Sequence, residues 1–210
     1  MSTGESTVFI VDDDSAALDA TTALVRSVGL QAMAYSSASQ FLKEYDPEWS
    51  GCLVLDVRMP EMSGLHVQDK LRERELDVPV IVLTAHGDVP VTVHAMKAGA
   101  FDFLEKPCSE EVLLDTIQRA IEQDREVRKR TQESCRLAAR MENLTQRERE
   151  ILDQIRAGKA NKVIAIELGL SERTIEAHRS RIMEKLEARS LSDLIQMILQ
   201  VNPDPNSNRY

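Results

Sequence analysis

Thr7–Val11 (TVFIV) runs directly into Asp12, Asp13 and Asp14, and Gly51–Leu55 (GCLVL) runs directly into Asp56. Each is a short, continuous apolar run closed by carboxylates. That is the pattern of a strand buried on both faces whose polar end emerges at a sheet edge. Val78–Leu83 (VPVIVL) is a third such run and Thr84 closes it; Gln31–Ala34 and Asp102–Leu104 are weaker candidates. Helical periodicity fills the gaps at about 15–28, 38–45, 64–73, 89–98 and 110–122. Five strands alternating with five helices predict an α/β unit, a doubly wound five-stranded parallel sheet. In such sheets chemistry gathers outside the carboxyl ends of the strands.

The rest of the chain is different in charge. Residues 1–125 carry 22 acidic and 10 basic side chains, a balance of −12, whereas residues 126–210 carry 13 and 16, a balance of +3. A sign change along 210 residues predicts two domains with different partners, the second able to approach a polyanion. The three cysteines, Cys52, Cys108 and Cys135, have no paired spacing, which argues against a disulfide framework or a zinc site. The four histidines also lack ligand spacing. No apolar run approaches the roughly 18 residues needed to cross a bilayer, and residues 1–7 read as no signal peptide, so a cytoplasmic protein is expected.

Residues 123–132 (QDREVRKRTQ) are strongly charged, with Val127 their only large apolar residue. They read as the start of a helical, solvated linker spanning 123–142. A stalk extending the preceding helix is the alternative, but continuous heptads are missing. From Asn143, four short helical patterns follow. Thr145 and Glu148 have capping-box spacing, Gly158 and Gly169 end helices, and Ser171 and Ser190 open them. This predicts a small all-α domain over 143–201, with a frayed Pro/Asn-rich tail at 202–210.

If the first and third strands are neighbours, Asp12, Asp13 and Asp56 converge. Alone, the Asp triplet reads as a helix cap with dipole-complementing charge. Carboxylates held close destabilise one another unless a cation intervenes, and oxygen-only ligands suit Mg²⁺. Thr84 and Lys106 lie at two further strand ends and change the balance. A carboxylate, a metal site, a hydroxyl and an ammonium on successive strands suit an aspartyl phosphate. Asp56 attacks phosphorus, Mg²⁺ and Lys106 neutralise the equatorial oxygens, and Thr84 donates to the product. A phosphatase of the haloacid-dehalogenase kind wants a second Asp where Arg58 stands, and no Gly-rich phosphate loop is present.

These motifs (Val11-Asp12-Asp13; Leu55-Asp56-Val57-Arg58-Met59-Pro60 through Gly64; Thr84-Ala85; Lys106-Pro107) closely resemble the receiver domain of two-component response regulators over about residues 5–122. The resemblance implies a flavodoxin-like receiver over 1–122 with Asp56 as phosphoacceptor. It implies Mg²⁺ held by Asp13, Asp56 and the Arg58 backbone carbonyl, with Asp12 assisting through water. Thr84 and Phe103 would be the paired switch residues, Lys106 the phosphate-neutralising lysine, and the Lys106–Pro107 bond cis. Ala85 would leave phosphate access. Phe103, lacking a hydroxyl, can swing inward but makes no hydrogen bond.

Ala160–Leu168, Gly169–Ser171 and Glu172–Glu187 have helix-turn-helix spacing, with Ile175, Ile182 and Leu186 inward. Arg173, Glu176, His178, Arg179, Ser180 and Arg181 lie outward. Charge alone is indecisive, since residues 172–189 hold five basic and four acidic side chains. The run from Leu144 through Ser190 resembles LuxR/NarL-type DNA-binding domains of the FixJ-like subgroup. By that resemblance Thr174, Arg179 and Lys162 hold phosphates, and Glu176, Ala177 and Ser180 face base edges.

The whole resembles a FixJ-like response regulator, a non-enzymatic transcription factor of the kind that is mostly activating. The implied partners are a sensor histidine kinase, double-stranded promoter DNA, RNA polymerase and, when phosphorylated, a second copy of the chain, with no membrane. The competing expectation is a receiver-linked helical adaptor that binds protein, in anti-termination or sigma interaction. An enzyme on the same sheet ranks last.

Overall fold

The computed structural model describes residues 6–85 and 89–201 and divides the chain into two compact units, the first ending at Arg128 and the second beginning at Lys129. The tail expected to fray, 202–210, lies outside the described residues. In the first unit the strands are β1 (Thr7–Val11), β2 (Gln31–Tyr35), β3 (Gly51–Leu55), β4 (Val80–Thr84) and β5 (Asp102–Glu105). The helices between them are α1 (Ser15–Ser27), α2 (Ala38–Glu44), α3 (Gly64–Glu73) and α4 (Val89–Lys97), and α5 (Glu110–Glu142) follows β5.

The sheet is parallel throughout, in the order β2-β1-β3-β4-β5. β1 and β3 are therefore neighbours, in a register that pairs Val11 with Leu55 and so sets Asp12 beside Asp56. Successive residues on the inner strands serve opposite faces. Phe9, Val11, Leu53, Leu55, Val80 and Val82 pack with Phe41 and Leu42 of α2, Val67 and Leu71 of α3, and Ala95 of α4. Val8, Ile10, Cys52, Val54, Ile81 and Leu83 pack with Leu18 and Val25 of α1 and Leu113, Ile117 and Ile121 of α5. Both faces being covered is why these runs are apolar without alternation, while the edge strands β2 and β5 keep exposed or half-buried positions. β4 begins at Val80 rather than Val78, because Pro79 has no N–H to give the ladder; its carbonyl accepts from Leu53 instead.

The reading of α5 is corrected. The helix does not end near residue 122 but continues unbroken to Glu142. Nor is the charged run simply solvated, because Asp124 is buried and Val127 and Arg128 are half-buried. Hydrogen bonds accepted by Asp124 and donated by Arg128 replace the missing apolar face.

The second unit contains α6 (Gln146–Arg156), α7 (Asn161–Leu168), α8 (Glu172–Leu186) and α9 (Leu191–Val201). Its core joins Leu137 and Leu144 to Ile151, Leu152, Ile155, Ile164, Ile175, Ile182, Leu186, Leu194 and Ile198. The capping box of α6 is complete: the Glu148 backbone N–H donates to Thr145 Oγ1, and the Thr145 backbone N–H donates to Glu148 Oε2. Gly169, at φ 65°, ends α7 in the left-handed conformation, and the Ser171 hydroxyl caps α8 by accepting from the Thr174 N–H.

Candidate functional site

Three strand ends deliver the first site. Asp12 and Asp56 are the residues immediately after β1 and β3, and Lys106 follows β5. Both carboxylates are buried, at 6% and 8% exposure, which is unusual for charges that lack a full set of partners. The Lys106 ammonium supplies one: Nζ lies 2.6 Å from Asp12 Oδ2 and 3.2 Å from Asp56 Oδ1. The Arg58 backbone N–H donates to Asp56 Oδ2 at 2.6 Å, and the Asp14 N–H to Asp12 Oδ1 at 2.9 Å. Asp14 is occupied in turn as the cap of α1, accepting from Ala16 and Ala17. Asp13 is exposed to solvent beside this pair.

Burial pushes the Asp56 carboxyl above its ordinary value, more than Lys106 and the Arg58 amide pull it down, and the Asp12 charge adds to the rise. Burial also works against the Lys106 ammonium. The hydrogen bond and charge of Asp12, with those of Asp56, outweigh it and hold the lysine above its ordinary value. Asp56 is thus a carboxylate kept poorly solvated next to a firmly held cation.

One ammonium faces two buried carboxylates. That donor set is all oxygen and retains surplus negative charge, so it fits a hard divalent cation such as Mg²⁺. Among the described residues no three acidic, imidazole or thiol groups converge as a cage, and Asp13 is not drawn into the Asp12–Asp56 pair.

Thr84 closes β4 fully buried, and its carbonyl accepts from the Lys106 N–H at 2.8 Å. Phe103 is half-buried against the same core cluster as Val57 and Met59, and Ala85 is exposed. The Lys106–Pro107 bond is cis. Gly64 has a role that residue types alone do not reveal. A Cβ there would stand 2.2 Å from the Asp56 carbonyl oxygen, and its own N–H donates to the Val57 carbonyl at 2.9 Å. The bare backbone at the start of α3 is what lets the loop after Asp56 close so tightly.

The second site is the face of α8 opposite its buried residues. Ile175, Ile182 and Leu186 are fully buried, so Arg173, Glu176, Ala177, Ser180 and Arg181 are left exposed. Lys162 is exposed in the first turn of α7. Arg179 is half-buried and donates to Asn161 Oδ1 at 2.7 Å, tying α8 to the start of α7. Thr174 is half-buried, its hydroxyl 2.8 Å from that of Ser171. His178 stands apart from the outward set: its Nδ1 is sealed from solvent, with no hydrogen-bond partner among the described residues.

The two architectures match known families. Residues 8–118 match the response regulator receiver domain, and residues 142–198 match the bacterial regulatory proteins of the luxR family. The chain belongs to the response regulators. It is 44% identical to the response regulator protein TmoT of Ectopseudomonas mendocina, over 94% of this chain and 90% of that one. It is 39% identical to the transcriptional regulatory protein FixJ of Azorhizobium caulinodans, over 94% of each. The structure of the response regulator StyR superposes with a TM-score of 0.83 at 42% identity, covering 93% of this chain and 98% of that one. This response regulator therefore joins a receiver to a LuxR-type helix-turn-helix DNA-binding domain and is a transcriptional regulator of a two-component system. The adaptor expectation is not favoured, because the helical domain matches a DNA-binding family. Among the described residues no helix is long and apolar enough to cross a membrane.

Proposed function

We propose that Asp56 is the phosphoacceptor and that its phosphorylation by a sensor histidine kinase controls DNA binding by the helical domain. The observation that carries this reading is the buried Asp56 carboxylate, 3.2 Å from Lys106 and adjacent to Asp12. An Asp56 oxygen attacks the phosphorus of a phosphohistidine. The phosphorus–nitrogen bond breaks with its electron pair going to the ring nitrogen, neutral imidazole leaves because the other ring nitrogen has taken a proton from solvent, and an acyl phosphate remains. Lys106 faces the new equatorial oxygens with an ammonium already held in place by Asp12. Asp13, Asp56 and the Arg58 carbonyl would hold Mg²⁺, with Asp12 assisting through water. When bound, the ion neutralises charge on the transferring phosphoryl group.

Downstream, Thr84 turns its hydroxyl to the phosphate and Phe103 moves further into the core it already touches. Val89, Val93 and Met96 of α4 and Val112 of α5 are exposed apolar side chains, which supports this helical surface as the one that pairs two phosphorylated receivers. A dimer would read two half-sites. Lys162, Thr174 and Arg179 are assigned to phosphates, with Arg173, His178 and Arg181 flanking them; Glu176, Ala177 and Ser180 face base edges. RNA polymerase is the partner at the promoter.

The test uses the full chain with a small phosphodonor and Mg²⁺. The expected result is one acid-stable, base-labile label per chain, absent in Asp56→Asn, together with a gain in promoter affinity that the variant does not show. Label retained by Asp56→Asn overturns the assignment.

A further inference from the structure

Up to Ile121, an apolar face holds α5 to the receiver through Leu113, Ile117, Ala120 and Ile121. The next fully apolar anchor on the same helix is Leu137, which belongs to the core of the other unit. Val127, between them, is only half-buried. A helical stretch of this length with no apolar face is marginal on propensity alone. What fixes its departure from the receiver is therefore polar.

Asp124 is the centre of that fixing. Its side chain is 1% exposed. Its carboxylate accepts from the backbone N–H of Gly51, the first residue of β3, at 2.9 Å, and from Arg128 Nε at 2.9 and 3.0 Å. Arg128 turns its other two nitrogens to the loop before β3, donating through Nη1 to the Pro47 carbonyl at 3.0 Å and through Nη2 to the Trp49 carbonyl. Arg125 Nε donates to the hydroxyl of buried Ser6, just before β1, at 3.1 Å. These bonds gather at the amino ends of β1 and β3, the strands whose opposite ends carry Asp12 and Asp56.

A buried carboxylate tolerates burial only while its partners are in place. The arrangement therefore specifies one position of the helix, where an apolar contact would permit sliding. We propose that Asp124 and Arg128 form a polar latch that pins the junction helix to the receiver, and that phosphorylation-dependent DNA binding requires the latch. The second half rests on the reading of Asp56 as phosphoacceptor. A helix frayed beyond Ile121 passes on no displacement from the receiver, whereas a pinned one does.

Arg128→Gln removes the guanidinium fork, and Arg128→Lys keeps a charge for Asp124 while losing the fork to the two carbonyls. Both are made in the full chain and compared by label uptake from a small phosphodonor with Mg²⁺, by backbone amide exchange across 125–136, and by affinity for a promoter fragment recovered with the wild-type chain. Expected are unchanged label at Asp56, amide exchange faster by at least about tenfold, since each variant loses at least one charge-assisted hydrogen bond, and a phosphorylation-dependent gain in affinity reduced by a comparable factor. If Arg128→Gln does not fold, Arg128→Lys is judged on the same three readings. Unchanged protection across 125–136 overturns the latch, and faster exchange with the full affinity gain overturns its role in control. A wild-type chain that takes no label refutes the phosphoacceptor reading instead, and the exchange measurement still decides whether the latch exists.

Discussion

Lys106 Nζ sits closer to Asp12 than to Asp56, 2.6 Å against 3.2 Å, so the ammonium is shared across strand ends rather than reserved for the central carboxylate. Asp12 acts here as the anchor of the lysine. Replacing the lysine leaves two buried carboxylates facing each other with no cation between them. Lys106→Met is expected to destabilise the receiver by about 3 kcal/mol, near the lower end for breaking a buried pair because Lys106 is itself 24% exposed. Urea denaturation of the full chain reads this directly. The same variant should take up phosphoryl label roughly tenfold more slowly or worse, through loss of a charge aimed at the phosphoryl oxygens. A stability within about 0.5 kcal/mol of wild type, the scatter of neutral surface changes, would show that the lysine does not hold the pair.

Gly64 tests the same site from the backbone side. A methyl group at this position would meet the Asp56 carbonyl oxygen at 2.2 Å, and the Asp56 carbonyl carbon and Leu55 Cγ at 3.1 Å. Gly64 is buried, so the strain has no outlet to solvent. Gly64→Ala should therefore cost about 2 kcal/mol, in the range for overpacking a well-filled site, and move the carboxylate proposed to accept the phosphoryl group. Thermal melting and label uptake are expected to fall together. Full label uptake at a temperature where the variant is folded would show that the loop can yield without displacing Asp56.

Much of this is legible in residue order. A double-sided parallel sheet imposes continuous apolar runs, so β1, β3 and β4 declare themselves, and closing carboxylates place Asp12, Asp13 and Asp56 at one edge. The edge strands β2 and β5 are weaker signals because three of the five positions in β2 and all four in β5 are not fully buried. The polar pairings are not legible. Asp124 and Arg128 stand four apart in a run of charges, as a solvated helical ladder also would, and only the chain fold brings Gly51, Pro47 and Trp49 to them. For the same reason α5 reads as ending where its apolar face ends. His178 follows the outward spacing of α8, yet its Nδ1 is enclosed, a consequence of tertiary packing that spacing does not carry. The spacing that puts Arg179 on the same face likewise does not show that its Nη1 holds Asn161.

Glu148 gives a pH test of the helical unit. It is 3% exposed and completes the capping box of α6, while its Oε2 accepts from Lys185 Nζ at 2.7 Å, an interaction that fastens α8 to α6. Burial alone would raise its carboxyl, but the hydrogen bonds from Lys185 and Thr145 outweigh it and pull the value down to about 2. A depressed carboxyl contributes stability that is present above its ordinary value of 4.5 and is lost as the pH falls toward about 2. The helical unit should therefore unfold more readily as the pH drops from about 4.5 to about 2, the span between those two values. Glu148→Gln is expected to remove about 2 kcal/mol at neutral pH and to flatten this part of the profile. Solvent screening holds the loss to that size, because Lys185 is 35% exposed. A Gln variant with the same acid limb as wild type would assign the pH sensitivity to other carboxylates.

On the proposed assignment, salt should separate the phosphate contacts of the helical domain from its base contacts. On duplex DNA, every phosphate that a side chain ceases to neutralise lowers the slope of log affinity against log salt by about 0.9. Lys162→Ala and Arg179→Ala together should therefore reduce the slope by about 2 while weakening all sequences alike. Arg179 adds a second effect, because its bond to Asn161 Oδ1 fixes α7 against α8; Arg179→Lys should recover part of the charge but not that geometry. Glu176 is exposed on the same face and is assigned to a base edge. Glu176→Ala should leave the slope unchanged and relax sequence preference by about 1–3 kcal/mol at one position per half-site. Titrating salt against a promoter fragment and a scrambled duplex measures both quantities at once. A double variant with the wild-type slope would remove Lys162 and Arg179 from the phosphate contacts, and a slope change in Glu176→Ala would place that carboxylate against the backbone instead of a base.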